Sequence, residues 1–259
     1  MSASVFQYVP WQTNLLEKAG YTLSKEAVLL DFGCGAGECV AQFRQAGYEI
    51  YGCDVAFPTP PNERLRSFMA NGLIKQINQS GQSGHAPYTI PFPDNTFDLV
   101  FSGQVFEHVM DYPAALAEIA RVLKPGGFSV HVFPGRWRLK EAHTNVPLAG
   151  VFRGYWWLKL WAYLGVRNEH QSTLSVEAIA RDNRRYLTQE TNYPTKKTLR
   201  RLVRRHFQEC RFAEEAYVWI SPKLGALIRL FPFLYQWYLI YFSETDMRVL
   251  VFGNKLPRG

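Results

Sequence analysis

Three glycines and two carboxylates have the spacing of a ligand site. Gly33, Gly35 and Gly37 follow a short apolar run typical of a buried strand and precede a segment with helical character. Such glycines allow a tight turn and close approach of a ligand, and the next helix offers free N–H groups. Asp31 suits a cationic amine better than a pyrophosphate, and Asp54 ends the next strand, where a carboxylate binds ribose hydroxyls. The pattern therefore predicts a ligand with a nucleoside and a positive charge.

The elements that must position these residues alternate between strand and helix through the first half of the chain. The predicted strands are 27–32, 48–53, 73–78, 97–102 and 128–133, followed later by 212–220 and 247–252. The predicted helices are 38–45, 62–70, 113–123 and the basic amphipathic segment 195–207. A Pro-Gly-Gly turn is predicted within 124–127. This alternation predicts an α/β fold with a Rossmann-like, mostly parallel seven-stranded sheet and helices on both faces.

The chain is predicted to form a single domain over residues 1–259. Its core segments would be 20–135, 195–220 and 245–256, with helical, aromatic cap insertions at about 136–194 and 221–244. The aromatic residues of these insertions would either close over an apolar or ring-shaped acceptor or form the insertions' own cores.

Further motifs follow the glycine loop in a fixed order. The set comprises 30–37 (LDFGCGAG), Asp54, 90–100 (IPFPDNTFDLV) with Glu-His-Val at 107–109, and 123–127 (LKPGG). Together these segments, over about 27–133, resemble the class I S-adenosylmethionine-dependent methyltransferases, in particular the type 11 branch typified by quinone-biosynthesis enzymes. The resemblance implies S-adenosylmethionine as cofactor and S-adenosylhomocysteine as product.

The resemblance also implies roles for individual residues. The three glycines would wrap the methionine part of the cofactor, Asp31 would orient its amino group, and Asp54 would hold the ribose. His85 stands where the family usually has an aspartate that binds the adenine amine. The complete predicted cofactor-binding set is Asp31, Gly33, Cys34, Gly35, Gly37, Asp54, Val55, His85, Ser102, Gly103 and Gln104.

The methyl acceptor is constrained mainly by signatures that the chain lacks. No Asn/Asp-Pro-Pro-Tyr/Phe motif ends the fourth strand and no cysteine follows a proline, which argues against methylation of adenine N6, glutamine amides or cytosine C5. We therefore expect an oxygen or carbon acceptor on a small molecule: phenolic, quinone-like, sugar or lipid-linked. His143, in the stretch 141–147 (EAHTNVP), is the candidate general base, since histidine titrates near neutral pH. The alternative is that His143 only anchors the insertion.

Composition and charge exclude several classes of protein. Hydrophobic residues make up 47% and charged residues 20% of the chain, as in globular proteins. The four cysteines form no CxxC pair and no zinc-spaced cluster, so we expect reduced thiols and no metal site. Residues 1–10 lack a signal-peptide pattern, which favours the cytoplasm. Residues 224–242 are long enough to span a membrane, but Arg229 and Pro232 argue against it; peripheral membrane contact stays open.

Other functions stay open at this stage. The basic helix at 195–207 and a net charge of +7 allow an RNA or protein methyltransferase, although the chain has no recognisable RNA-binding module and nucleic acid is disfavoured. A non-catalytic cofactor-binding protein would keep the same glycine loop. A nicotinamide dehydrogenase is disfavoured by the glycine spacing and Asp31. The sequence predicts neither the individual acceptor nor the oligomeric state.

Overall fold

Within the described residues, seven strands form one sheet. The computed structural model describes residues 6–77, 88–220 and 235–256, together with residues 230 and 233. The strands are β1 (Val28–Phe32), β2 (Glu49–Asp54), β3 (Ile74–Gln76), β4 (Phe97–Gly103), β5 (Leu123–Pro134), β6 (Phe207–Phe212) and β7 (Met247–Lys255). Their order is β3-β2-β1-β4-β5-β7-β6. Only β7 runs antiparallel to its neighbours β5 and β6 among these strands, which confirms the predicted Rossmann-like α/β fold.

Helices connect these strands, and α-helices with side-chain caps begin after four polar residues. They are α1 (Tyr8–Lys18), α2 (Glu38–Gln45), α3 (Glu63–Ala70), α4 (Tyr112–Val122), α5 (Tyr155–Tyr163), α6 (Val176–Gln189), α7 (Lys196–Val203), α8 (Glu214–Ile220) and α9 (Tyr235–Thr245). In these four caps the side chain accepts a hydrogen bond from the backbone N–H three residues later; the capping residues are Asn62, Asp111, Ser175 and Thr195. Each cap satisfies a donor that the first turn of a helix leaves free.

The sheet is buried on both faces. Leu15 of α1, Val40 of α2 and Ala216 of α8 are fully buried against one face. Leu116 of α4 and Leu199 of α7 are fully buried against the other. Successive residues of a strand point to opposite faces, so the near-continuous apolar runs of β1 and β4 are what a doubly covered sheet requires.

Residues 135–195 form a helical insertion with a small core of their own. The chain leaves the sheet at the carboxyl end of β5 and returns through α7. Val146, Leu158 and Leu187 are fully buried in this core, against which Trp157 and Trp161 pack. Trp156, in contrast, is 77% exposed. The aromatics of the insertion are thus divided between its core and its surface.

The second predicted insertion is described only in part. Residues 221–229, 231, 232 and 234, with Arg229 and Pro232 among them, lie outside the described residues. Over the described part of the chain, every helix is too short or too polar to cross a bilayer.

Three predictions of secondary structure differ from the structure. Residues 212–220 were expected to be a strand, but β6 ends at Phe212 and α8 begins at Glu214. Helical spacing buries Ala213 and Ala216 against the sheet, and Glu214 and Glu215 lie in the first turn, where the helix dipole favours carboxylates. This packing outweighs the strand propensity of Tyr217 and Val218.

The Pro-Gly-Gly segment also differs from the expected free turn. It lies inside β5, where the pairing with β4 changes register between Phe97 and Leu99. Gly126 adopts a positive φ of 80°, so the segment bends the strand without ending it. The basic helix is also shorter than predicted, because α7 ends at Val203 and β6 begins at Phe207.

Candidate functional site

The glycine loop joins β1 to α2 and is fixed by the backbone of β2. The N–H groups of Gly33 and Cys34 both donate to the carbonyl of Cys53, at 2.7 and 3.1 Å. Gly33 has a φ of +85°, and a Cβ there would lie 2.3 Å from Cγ2 of Val105. Only glycine fits this position, because both the dihedral and the space exclude a side chain. A Cβ on Gly35 would meet no atom within 4 Å, so the backbone is open to a ligand there.

Asp54 links the end of β2 to the glycine loop. Its Oδ2 accepts a hydrogen bond of 2.8 Å from the N–H of Gly35, and its Oδ1 accepts one of 2.7 Å from the N–H of Val55. The N–H of Ala56 also donates to Oδ1, at 3.4 Å, so Oδ2 is the oxygen that keeps a lone pair for a further donor. The Asp54 carboxylate therefore holds the loop and retains acceptor capacity toward the space above it.

Asp31 is a buried carboxyl with 6% exposure at the end of β1. Burial raises its pKa to about 7; the Cys39 thiol, which hydrogen-bonds to it, partly offsets this rise, and the Asp54 charge adds to it. A cation in the adjacent space would stabilise the ionised form. The site is therefore electrostatically suited to a positively charged group beside Asp31.

Two cavities adjoin at the carboxyl ends of β1 and β4. The Asp54 cavity has a volume of about 520 Å³ and is lined by Phe32, Gly33, Asp54, Val55, Ile77, Tyr88, residues 103–105 and 108–111, Gln189 and Glu190. The Asp31 cavity, of about 570 Å³, is lined by Phe6, Tyr8, Trp11, Gln12, Asp31, residues 33–36, Glu38, Cys39, Phe101, Gly103, Gln104, Val132, Tyr217 and Met247. Both volumes are typical of small-molecule sites.

Gly33, Gly103 and Gln104 line both cavities and mark their junction. Gln104 has a φ of +60°, which is rare for a residue with a side chain. Its N–H donates to the carbonyl of Val132 at 2.8 Å, and this bond holds the unusual conformation. Strained backbone of this kind is concentrated at functional sites.

Most of the predicted cofactor set lies around this junction, with exceptions. One or both cavities are lined by eight of the predicted residues: Asp31, Gly33, Cys34, Gly35, Asp54, Val55, Gly103 and Gln104. Ser102 does not line either one: it is 3% exposed, and its Oγ lies 2.7 Å from Nδ1 of the buried His131. Gly37, the last glycine of the loop, also lines neither cavity, and a Cβ there would lie 2.6 Å from Cδ1 of Ile74. His85 lies outside the described residues.

Cys34 shows no sign of a nucleophilic role. Its side chain is buried, and burial raises the pKa of its thiol well above the ordinary value. A thiol kept protonated is a poor nucleophile, so Cys34 acts as a small packing residue.

His143 lies close to His108, beside the Asp54 cavity. The two ring centroids are 4.9 Å apart, and His108 lines the cavity while His143 lines a neighbouring one with Tyr186. Burial lowers the pKa of His143, an effect that Glu141 opposes. Glu107 is 1% exposed, and burial raises its pKa to about 8.

Sequence reasoning missed several residues that line the Asp31 cavity. Tyr8 and Trp11 come from α1, Tyr217 from α8 and Met247 from β7. The sole signal for them in the sequence is a pair of aromatics ahead of the first strand. The buried Glu107 was likewise recognised only as part of a family motif, although it directly precedes His108 after β4.

The basic helix α7 lies away from these cavities. It packs against α4 and β6, and β6 is the edge strand opposite β3. Lys196 forms an ion pair with Glu214 at 2.8 Å. No residue of α7 is among those that line the Asp54 cavity or the Asp31 cavity.

Comparison with known proteins agrees with the site. Residues 30–131 match the family described as "Methyltransferase domain". A malonyl-[acyl-carrier protein] O-methyltransferase of Serratia marcescens is 35% identical over 99 residues, which cover 38% of this chain and 35% of that protein. A demethylmenaquinone methyltransferase of Geobacillus is 30% identical over 127 residues, covering 47% of this chain and 50% of that protein. The matched segments thus span half or less of the length of these curated relatives.

A solved structure extends the likeness in fold to almost the whole chain. Phosphoethanolamine N-methyltransferase 2 of Haemonchus contortus superposes with a TM-score of 0.50 at 15% identity, covering 96% of this chain and 53% of that one. At this identity the likeness concerns the fold alone. Residues 30–131 therefore match the methyltransferase domain family, and almost the whole chain shares the Rossmann-like fold of this solved structure.

Proposed function

We propose that this protein is an S-adenosylmethionine-dependent methyltransferase that acts on an oxygen or carbon of a small-molecule acceptor. The observation that carries the proposal is the junction of two cavities at Gly33, Gly103 and Gln104, above a glycine loop that Asp54 holds. The family match over residues 30–131 supports the cofactor, because it covers the glycine loop, Asp54 and the end of β4.

The residues at the junction fit the two ends of this cofactor. Positions that a Cβ would occupy on Gly35 and Gly103 are empty to 4 Å, so backbone and ligand can approach closely. Asp54 would accept a hydrogen bond from a ribose hydroxyl through the remaining lone pair of Oδ2. Asp31 would stabilise the amino group of the methionine part. When bound, the cofactor supplies a methyl group on a positively charged sulfur.

Small-molecule acceptors are favoured by the relatives and by the cavity. The Serratia relative is named as an O-methyltransferase of malonyl-[acyl-carrier protein], and the Geobacillus relative as a demethylmenaquinone methyltransferase. The Asp54 cavity would also hold the ribose, and its wall at residues 108–111, with apolar Val109 and Met110 and polar His108 and Asp111, would face the acceptor. A partly polar acceptor of moderate size fits such a lining.

We also propose that His143 acts on the acceptor's proton. Among the described residues, no side chain or backbone group hydrogen-bonds to its ring nitrogens, while Glu141 anchors its backbone N–H at 3.0 Å. As a general base, it would accept the proton of an acceptor hydroxyl at a ring nitrogen, typically contributing about 10²–10⁴ in rate. His143→Ala and His143→Gln should both lower kcat with little change in cofactor affinity. Wild-type turnover in either variant would exclude a catalytic role.

Ligand binding and turnover can be tested separately. S-adenosylhomocysteine at about 100 times its Kd should stabilise the folded protein by about 2.7 kcal/mol, visible as a rise in Tm. NADH serves as the matched control, since it also carries an adenosine. A rise with NADH and none with S-adenosylhomocysteine would contradict the cofactor assignment.

For turnover, labelled S-adenosylmethionine is added with the protein to a metabolite extract, and the labelled products are separated by mass. Label in a small molecule is expected. Label only in RNA or protein would support the alternative that the basic helix suggests, and S-adenosylhomocysteine binding without any labelled product would indicate a non-catalytic binding protein.

A further inference from the structure

A carboxylate and two imidazoles converge beside the Asp54 cavity. One ligand atom each of Glu107, His108 and His143 lies within 4.8 Å of the others. Glu107 is 1% exposed, and in the described part of the molecule neither of its carboxylate oxygens has a hydrogen-bond partner. An unsatisfied buried polar group costs about 1–3 kcal/mol, and an ionised one costs more. A ligand bound by all three side chains at once would therefore satisfy the Glu107 carboxylate.

The hydrogen bond of His108 determines which of its nitrogens is available. Its Nδ1 lies 2.8 Å from the backbone carbonyl of Glu190. A carbonyl oxygen can only accept, so Nδ1 carries the proton and Nε2 presents its lone pair. Metal-binding histidines characteristically donate their second ring nitrogen to a backbone carbonyl or a carboxylate in this way.

His143 is held through its backbone, while within the described ranges its ring nitrogens form no hydrogen bond and its ring packs against His108 and Tyr186. Glu141 Oε2 accepts from the N–H of His143 at 3.0 Å, and the Asn168 side-chain amide donates to the carbonyl of His143 at 3.2 Å. Glu141 itself is fully engaged, since its other oxygen accepts from the Tyr193 hydroxyl at 2.9 Å. The loop therefore positions the His143 ring against His108, while Glu141 serves as its support.

We propose that Glu107, His108 and His143 bind one divalent first-row transition-metal cation at the edge of the Asp54 cavity. Two imidazoles and one carboxylate are a donor set suited to Zn²⁺, Mn²⁺ or Fe²⁺. Bonds of about 2.0–2.2 Å place neighbouring donors roughly 3–3.5 Å apart, so the three side chains would close by about an ångström around the ion.

The consequence for chemistry rests on the proposed methyl transfer, whereas the binding itself does not. Three protein ligands leave at least one coordination position open. A hydroxyl of the acceptor bound there becomes more acidic, as metal-bound water does. Its O–H bond breaks, the electron pair stays on oxygen and the proton passes to solvent. The oxygen then bonds to the methyl carbon as the sulfur–methyl bond breaks, its electron pair remaining on sulfur. With the metal bound, His143 would act on the acceptor's proton through the ion and not as a general base, because the metal takes its lone pair.

Metal binding by the isolated protein tests the proposal directly. Chelator-treated protein is titrated with Zn²⁺ by calorimetry and with Co²⁺ while its visible absorption is recorded. We expect one ion per chain and a cobalt spectrum altered from that of the aqua ion. Glu107→Gln and His143→Ala should each weaken Zn²⁺ binding by at least about 10-fold. His170→Ala is the matched control, since this histidine belongs to the same insertion but its side chain is 85% exposed.

Each outcome of these titrations either supports or contradicts the metal site. Absence of stoichiometric binding by the wild-type protein, or equal affinity in His143→Ala and His170→Ala, would overturn the proposal. Should a variant fail to fold, the wild-type cobalt spectrum decides alone: an unchanged aqua-ion spectrum at one equivalent argues against the site. Neither titration contains cofactor or acceptor. A failure here therefore leaves the methyltransferase proposal intact, and stoichiometric binding without methyl transfer would count only against the latter.

Discussion

The glycine loop and the His143 loop both lie at carboxyl ends of strands, but the chain builds them differently. The first belongs to one β-α-β unit, in which Cys53 and Asp54 of β2 bind the loop backbone directly. The second brings His143, from the insertion after β5, against His108, 35 residues earlier in the chain. The proposed cofactor side of the site is therefore set by local backbone geometry, and the proposed acceptor side depends on how the insertion packs.

This contrast predicts that substitutions in the two regions affect stability and ligand binding differently. The largest expected effect is on the unfolding free energy and its pH dependence, and it involves Asp31. The folded-state pKa of Asp31, raised by burial to about 7, exceeds the ordinary value of 3.8. The folded state therefore binds this proton more tightly than the unfolded state. The resulting stability is present below about pH 4 and is lost as the pH rises through 7. The shift corresponds to about 4 kcal/mol of unfolding free energy.

Asp31→Asn should remove that dependence. Urea unfolding of both proteins between pH 4 and 8 measures it, and the wild-type curve should fall relative to that of the variant as the pH rises. Saturating S-adenosylhomocysteine should reduce the fall, because a cationic amine stabilises the charged carboxylate. A difference between the two proteins that does not change with pH would refute the assignment.

The next largest expected effect is the loss of stability when a side chain in the core of the insertion is shortened. Leu158 is fully buried in the small core of residues 135–195, so Leu158→Ala should cost about 3 kcal/mol. Hydrogen exchange should accelerate in α5 and α6 more than in β1, and the affinity for S-adenosylhomocysteine should change less than two-fold. Leu116→Ala, in the core beneath the sheet, is the matched control and should loosen β1 and β4 as well. Uniform loosening in Leu158→Ala would show that the insertion is not a separate cooperative unit.

The glycine loop and the strands around it could be predicted from sequence, because their signals are local. Glycine spacing and the residues that end β1 and β2 determine the turn, and the predicted bounds of β1, β2, β4 and α2 agree with the structure to within about a residue. The outcome for residues 212–220 differs because burial of Ala213 and Ala216 depends on the neighbouring sheet. Local propensity does not contain that information.

The acceptor side could be predicted only in part. His143 closely follows β5 along the chain, and the structure brings its ring to within 4.9 Å of the His108 ring, centroid to centroid. Its pairing with His108 and Glu107 depends on contacts made by Glu141 and Asn168 within the insertion. Contacts between distant segments leave no periodic pattern, and histidines so far apart do not match the spacing of known metal motifs.

A pair of glycines can separate steric fit from backbone strain. Gly33 and Gly47 have nearly the same φ, +85° and +83°, but a Cβ on Gly47 meets nothing within 4 Å. Gly47→Ala should therefore cost about 1–2 kcal/mol for the left-handed conformation alone. Gly33→Ala should cost about 2 kcal/mol more because of the clash with Val105, and it should also weaken S-adenosylhomocysteine binding. Equal urea midpoints in the two variants would contradict the tight packing of the loop.

The smallest expected effect is the most specific for the cofactor. Asp54→Asn keeps one oxygen that can accept from Gly35 but loses the charge and one acceptor, so S-adenosylhomocysteine should bind about 10-fold more weakly, a loss of about 1.4 kcal/mol. Asp98→Asn is the matched control, because Asp98 also accepts a backbone hydrogen bond, from Val28 at 2.9 Å, but lines neither cavity. Calorimetry on both variants decides the point. If Asp98→Asn weakens binding as much as Asp54→Asn does, the loss reflects a loosened sheet, and the contact between Asp54 and the ribose would have to be abandoned.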